Sequence, residues 1–124
     1  SWLASSGDLV YVHIEAPDEA SHEGSLEKKL EAIEAFDEKV IGPLLKGAER
    51  WPRVRLMVVT DHLTPIRVRT HVADPVPFLI VEELHALEPT ATPTARFCER
   101  TADLAGWQLP GGVQLFEAFV GLKS

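Results

Sequence analysis

Five residues of this 124-residue chain stand out for the chemistry they could do: Asp18 and His22, four positions apart, the adjacent pair Asp61 and His62, and His71. Carboxylate oxygen and imidazole nitrogen are both ligands for zinc-like and manganese-like divalent ions, at about 2.0 to 2.2 Å in zinc sites. Asp18 and His22, close together on one short segment, can reach a single ion, and His71 could supply a third ligand. Asp61 and His62 point in different directions in an extended backbone, yet at a turn after a strand they can converge on a neighbouring ion. Each pair taken alone also occurs by chance or as an ordinary surface turn. Weight comes from their joint occurrence, with ligand residues following two predicted strands and a further histidine beyond them.

The elements that must position these residues follow from the apolar pattern. Leu9 to Ile14 is a β-branched and aromatic run bounded by Gly7-Asp8 and Ala16-Pro17, which predicts a buried strand. Apolar residues at nearly every position predict cover on both faces, the habit of parallel strands. His13 lies inside this run and is expected as a packed or hydrogen-bonded strand residue rather than a site residue. Residues 17–24 then form a loop at the carboxyl end of the strand, where ligands collect in open α/β sheets.

Ser25 is a helix N-cap by residue type, and Leu26, Leu30, Ile33, Phe36, Val40, Ile41 and Leu44 recur at helical spacing. This predicts an amphipathic helix packed on a sheet, kinked or ended by Gly42-Pro43 because proline removes a hydrogen bond. Val54 to Thr60 predicts a second strand, so that strand, helix and strand form a right-handed βαβ unit. Its two parallel strands would deliver Asp18, His22, Asp61 and His62 to one edge of the sheet. Residues 63–76, which contain the run Arg67 to His71, predict a long functional loop. Beyond it, Phe78 to Val81 predicts a strand, 82–92 a connection, Pro93 to Ala105 a helix containing Cys98, and Gly111 or Gly112 onward a last amphipathic helix.

Composition narrows the class. An apolar fraction of 45% with 25% charged residues is that of a globular chain, and the length suits one domain over 1–124. A net charge of −7 argues against a general nucleic-acid binder, and an acidic surface repels an anionic membrane. With Cys98 the sole cysteine, neither an internal disulfide nor a thiolate metal cage is available. No run approaches the roughly 18 apolar residues of a membrane span. The first residues lack a signal-peptide pattern, so a cytoplasmic location is the default expectation.

The stretch Val12 to Gly24, followed by Asp61-His62-Leu63-Thr64-Pro65 and by Arg69 to Phe78, resembles the C-terminal part of cofactor-independent phosphoglycerate mutases of the archaeal type, members of the alkaline phosphatase superfamily. The resemblance covers nearly the whole chain with its motifs in family order. It implies an α/β fold with a mostly parallel sheet flanked by helices, part of an alkaline phosphatase-like three-layer α/β/α domain. It also implies that Asp18, His22 and His71 hold one ion while Asp61 and His62 hold a second. The implied pair of divalent ions is Mn²⁺, or in some members Zn²⁺, Co²⁺ or Mg²⁺.

The family's second ion also takes an upstream Asp and the serine nucleophile, and neither is matched. Ser1, Ser5, Ser6, Ser21, Ser25 and Ser124 sit in no context resembling the nucleophile motif. The expectation is a C-terminal segment whose missing N-terminal part completes the enzyme, so that this piece alone is inactive. The full-length activity implied is interconversion of 2-phosphoglycerate and 3-phosphoglycerate through a phosphoserine. Arg69 or Arg67 could contact phosphate through the guanidinium fork, although a surface or ion-paired arginine is an equal reading. Glu15, Glu19 and Glu23 are candidates to orient the histidines. Two other readings stay open: a phosphohydrolase of the same superfamily, and a non-enzymatic metal-binding or interaction module that associates with itself through exposed surface.

Overall fold

The structure, a computed structural model, describes residues 7–84 and 96–121. Helix α1 spans Ala16–Glu23, and its limits follow from the residues at its ends. Pro17 sits in the first turn, where a missing N–H costs nothing, Asp18 and Glu19 face the positive helix end, and Gly24 takes a left-handed φ of 76° just past the last turn. The Gly24 N–H donates to the Ser21 carbonyl and the Ser25 N–H to the Ala20 carbonyl, both at 3.0 Å, which closes the helix in a Schellman arrangement. Residues 17–24 are therefore helix and not the loop expected from their polarity.

Helix α2, Leu26–Phe36, starts as expected at Ser25, whose hydroxyl accepts the Lys28 N–H at 3.3 Å. It runs into a π-helical turn, Asp37–Ile41, and then into α3, Gly42–Gly47, with a 3₁₀ turn at Ala48–Arg50. Gly42-Pro43 thus neither ends the helical run nor leaves it regular. Pro43 has no N–H to return to the preceding turn, and the wider turn next to it, with the Gly42 N–H on the Asp37 carbonyl, absorbs the mismatch.

Strands β1, Leu56–Val59, and β2, Phe78–Val81, pair antiparallel with Leu56 opposite Val81 and Val59 opposite Phe78. The Leu84 N–H continues the ladder to the Val54 carbonyl at 2.9 Å. β2 has the expected limits and β1 is shorter than the 54–60 expected. The sheet corrects two expectations. Among the described residues it has two strands and is antiparallel, so the mostly parallel sheet and the βαβ unit are not formed. Residues 9–14 carry no regular element, and Leu9, Val10, Tyr11, Val12 and Ile14 are 39 to 81% exposed. An apolar run becomes a strand only where another strand takes up its backbone groups, and no described segment pairs with its backbone.

A further expectation to change concerns packing. α2 packs on α1 rather than on the sheet, and it leaves Leu26, Leu30 and Ile33 about half exposed. Helix α4 covers Glu99–Ala105, so Cys98 is its N-cap and not an interior residue; 93–95 lie outside the described residues, as does most of the 82–92 connection. Helix α5, Gly112–Val120, begins where expected. Arg55 ties it to the sheet: its guanidinium pairs with Glu82 at 2.7 Å and donates to the Phe119 carbonyl at 2.9 Å. Trp107 meets Phe78 edge-on at 5.0 Å. No described helix is long and apolar enough to cross a membrane.

Candidate metal centre

One turn of α1 brings Asp18 and His22 to the same helix face, since residues four apart stand one above the other. Their side chains meet at 3.2 Å between Asp18 Oδ2 and His22 Nε2. Facing them is the loop between β1 and β2, residues 60–77. An isolated antiparallel bridge between Leu63 and Val72 pinches this loop, and the Lys29 ammonium donates to the Thr64 carbonyl at 3.1 Å, holding the loop on α2. Thr64 is 5% exposed, so the loop's inner side is packed against the helices.

Three loop residues and two helix residues then converge. His71 Nε2 lies 3.3 Å from His22 Nε2 and 3.6 Å from Asp18 Oδ1. The His62 ring stacks on the His71 ring at 3.6 Å between centroids. Ligand atoms of Asp18, His62 and His71 all fall within 4.8 Å of one another. Asp61 stands at the edge, its Oδ2 3.5 Å from His62 Nε2 and its Oδ1 accepting the His62 backbone N–H at 3.0 Å. All five residues singled out in the sequence are thus close together, and His62 sits with Asp18 and His71 in one cluster as well as beside Asp61.

The separations have the scale of a coordination shell. Donors placed tetrahedrally about 2.1 Å from an ion lie about 3.4 Å apart. The distances of 3.2 Å from His22 to Asp18 Oδ2, 3.6 Å from His71 to Asp18 Oδ1 and 3.3 Å between the two histidines bracket that value, with both carboxylate oxygens turned to the cluster. A carboxylate with imidazole nitrogens is a donor set for a borderline divalent ion. The arrangement can therefore hold one divalent cation on the face between α1 and the loop.

Asp18 is bound further by Thr64, whose hydroxyl donates to Oδ1 at 2.5 Å. This bond is the main reason its carboxyl is held below the usual carboxylate range; burial opposes the effect, and the neighbouring His22, His71 and His62 add to it. A concavity of about 220 Å³ adjoins the cluster, lined by His13, Ile14, Glu15, Asp18, Glu19, Asp61 and His62. Its carboxylates favour a cation or a cation-bound ligand over a bare anion.

The remaining candidates are placed as follows. The His13 side chain is half exposed, 3.6 Å from Glu15 and stacked on Tyr11, rather than packed inside a strand. Glu23 pairs with Lys28, and neither it nor Glu15 bonds a histidine of the cluster. The groups that do so are ones that sequence reasoning does not single out. The Arg69 carbonyl accepts from His22 Nδ1 at 2.9 Å, and the Thr64 hydroxyl lies 3.2 Å from His62 Nδ1. A backbone carbonyl has no signature in a sequence, and a single threonine next to proline has little more. Arg67 is exposed. Arg69 takes a left-handed φ of 57°, and its guanidinium lies where a side chain on Gly24 would be, so a substitution at Gly24, itself at a φ of 76°, would displace it and strain the backbone. Ser21 is buried and donates to the Pro17 carbonyl at 2.7 Å.

Comparison with known proteins gives the chain a family. The family model described as the Metalloenzyme superfamily matches residues 2–108. A 2,3-bisphosphoglycerate-independent phosphoglycerate mutase of Methanothrix thermoacetophila is 58% identical over 76 residues, which is 60% of this chain and 19% of that protein. A probable enzyme of the same name from Geobacter sulfurreducens is 42% identical over 110 residues, 89% of this chain and 27% of that protein. The chain therefore spans between about a fifth and about a quarter of the length of these curated relatives. No solved structure matches it significantly.

Proposed function

The chain belongs to the Metalloenzyme superfamily, and from that premise we propose that it is the metal-ligating part of a cofactor-independent phosphoglycerate mutase. The observation that carries the proposal is the convergence of Asp18, His62 and His71, whose ligand atoms lie within 4.8 Å of one another, with His22 close to Asp18 and His71 and with Asp61 beside His62. The similarity to proteins named as phosphoglycerate mutases supplies the reaction class. In this reading Asp18, His22 and His71 hold one divalent ion, Mn²⁺ by preference, while Asp61 and His62 serve a second.

Such ions lower the pKa of an attacking hydroxyl and neutralise phosphoryl oxygens during an in-line transfer. This chain's own residues supply the frame: α1 fixes the spacing of Asp18 and His22, and the bridged loop carries His62 and His71 to them. The whole enzyme would exchange 2-phosphoglycerate and 3-phosphoglycerate through a phosphoserine. Among the described residues neither serine is free for that role, because Ser21 is buried against Pro17 and Ser25 caps α2. The 124 residues alone are therefore proposed to bind metal without mutase turnover. Arg67 and Arg69, both exposed on the ligand loop, are the candidates to meet a phosphate.

Calorimetric titration with Mn²⁺ tests the site. The intact chain should show saturable binding that His22→Ala weakens by about tenfold or more. Identical isotherms for the two proteins would remove His22 from the ligand set, and mutase turnover by the purified chain would refute the second half of the proposal.

A further inference from the structure

We infer that Thr64 and the Arg69 carbonyl are positioning groups that hold His62 and His22 as their Nδ1–H tautomers, so that each presents a bare Nε2 to the cluster. The inference rests on the metal-centre reading for what those nitrogens are for, but the hydrogen-bond logic is independent of it. A carbonyl oxygen can only accept. The 2.9 Å contact between His22 Nδ1 and the Arg69 carbonyl therefore requires a proton on Nδ1, and in the neutral ring Nε2 is then the lone-pair nitrogen.

Thr64 reaches the same result by one further step. Its hydroxyl owns a single proton, and it lies 2.5 Å from Asp18 Oδ1 and 3.2 Å from His62 Nδ1. A carboxylate can only accept, so the proton goes to Asp18. What remains for His62 is the hydroxyl lone pair, and His62 Nδ1 must donate to it. The chain His62 Nδ1–H to Thr64 Oγ–H to Asp18 has one consistent direction. It leaves His62 Nε2 free on the side of Asp61 and His71. Thr64 is thus bonded both to a ligand carboxylate and to a ligand histidine, and its burial keeps water from substituting for it.

The two anchors are built differently. Arg69 adopts the left-handed region that few non-glycine residues enter, and this turn of the backbone aims its carbonyl at His22. Gly24, by lacking a side chain, leaves room for the Arg69 guanidinium. Thr64 instead acts through its side chain, backed by Lys29 on its carbonyl. Replacing Thr64 should therefore disturb one histidine and spare the other.

The test is nitrogen-15 NMR of the metal-free chain at about pH 8, above the ordinary histidine range, where long-range couplings distinguish the two neutral tautomers. Both His22 and His62 should report Nδ1–H. In Thr64→Val, close in shape but unable to bond, His62 should lose that preference while His22 keeps it. Mn²⁺ affinity should fall between about 10- and 100-fold, the usual effect of removing a group that orients a ligand. Thr64→Ser, which retains the hydroxyl, should restore both readouts. The inference is overturned by an Nε2–H tautomer at either histidine in the wild-type chain, or by Thr64→Ser failing as badly as Thr64→Val. If the chain takes up no metal, the proposed function fails while the tautomers still decide this inference. Should Thr64→Val not fold, the wild-type spectra and Thr64→Ser decide it.

Discussion

Asp18 sits where three demands meet: it shares a helix face with His22, accepts from Thr64 and lies within reach of His71. Because its carboxyl is lowered in the folded chain, it contributes stability above its unfolded value near 3.8 and loses it as pH falls through the lower folded value. The side chain is 33% exposed, so solvent screening keeps this contribution small. Metal-free wild type should show a drop in unfolding midpoint between about pH 5 and pH 2 that is shallower in Asp18→Asn. Parallel acid-unfolding curves, followed by circular dichroism, would mean that the Thr64 bond does not survive in solution. At this scale the site is largely legible in the sequence, since Asp18, His22, Asp61, His62 and His71 all gather in one place. Thr64 and Arg69 are not legible in their actual roles. One acts through a shared hydroxyl and the other through a carbonyl, and both depend on where distant atoms fall.

At the scale of elements, capping residues and β-branched runs carry clear signals. Ser25 starts α2, Gly112 starts α5, and the Phe78–Val81 run is a strand with those limits. The signals for α1 are equally present in Pro17, Asp18, Glu19 and Gly24, but its polarity and eight-residue length make it resemble a loop. Its consequence is considerable, because a helical turn fixes the Asp18 to His22 spacing more firmly than a loop could. Strand direction is not legible, since an apolar run of four to six residues fits either a parallel or an antiparallel neighbour.

Arg55 shows how few contacts join the sheet to α5. Replacing it with Met removes the bond to the Phe119 carbonyl and the pairing with Glu82. A loss of about 1 kcal/mol is expected. Amide exchange should quicken in α5 while α1 and α2 are unaffected. Uniform acceleration throughout the chain would show that α5 and the helices unfold as one unit.

At the scale of the molecule, the described residues bury unusually little. Among the described residues, the buried apolar side chains are Ala20, Ala48, Leu84 and Leu115, and two of these are alanines. Leu9, Val10, Tyr11 and Val12, the Leu26, Leu30 and Ile33 face of α2, and Val113 and Phe116 of α5 remain open to water. Exposed apolar surface on this scale favours association. The chain is expected to self-associate as its concentration rises and to enhance the fluorescence of an apolar dye at neutral pH. Sedimentation as a monomer over a hundredfold concentration range, with no dye response, would contradict this. The missing strand at 9–14 belongs to the same account. Its residues carry the pattern of a buried strand, but pattern alone supplies no partner for the backbone.

The bridge between α1 and the ligand loop has a consequence in time. The bonds that assemble the centre join residues 46, 47 and 49 positions apart. Helices α1 and α2 need only neighbours a few residues away, whereas these bonds must wait for the loop to be brought back onto the helix. Asp18 and His22 emerge early on their helix, yet they meet His71 only after the intervening chain has found its place. Until then no pair of residues in the nascent chain offers a passing ion more than a weak hold. On the proposed reading the centre thus keeps a clock, and full affinity for an ion marks the moment at which the segment from α1 to His71 has folded.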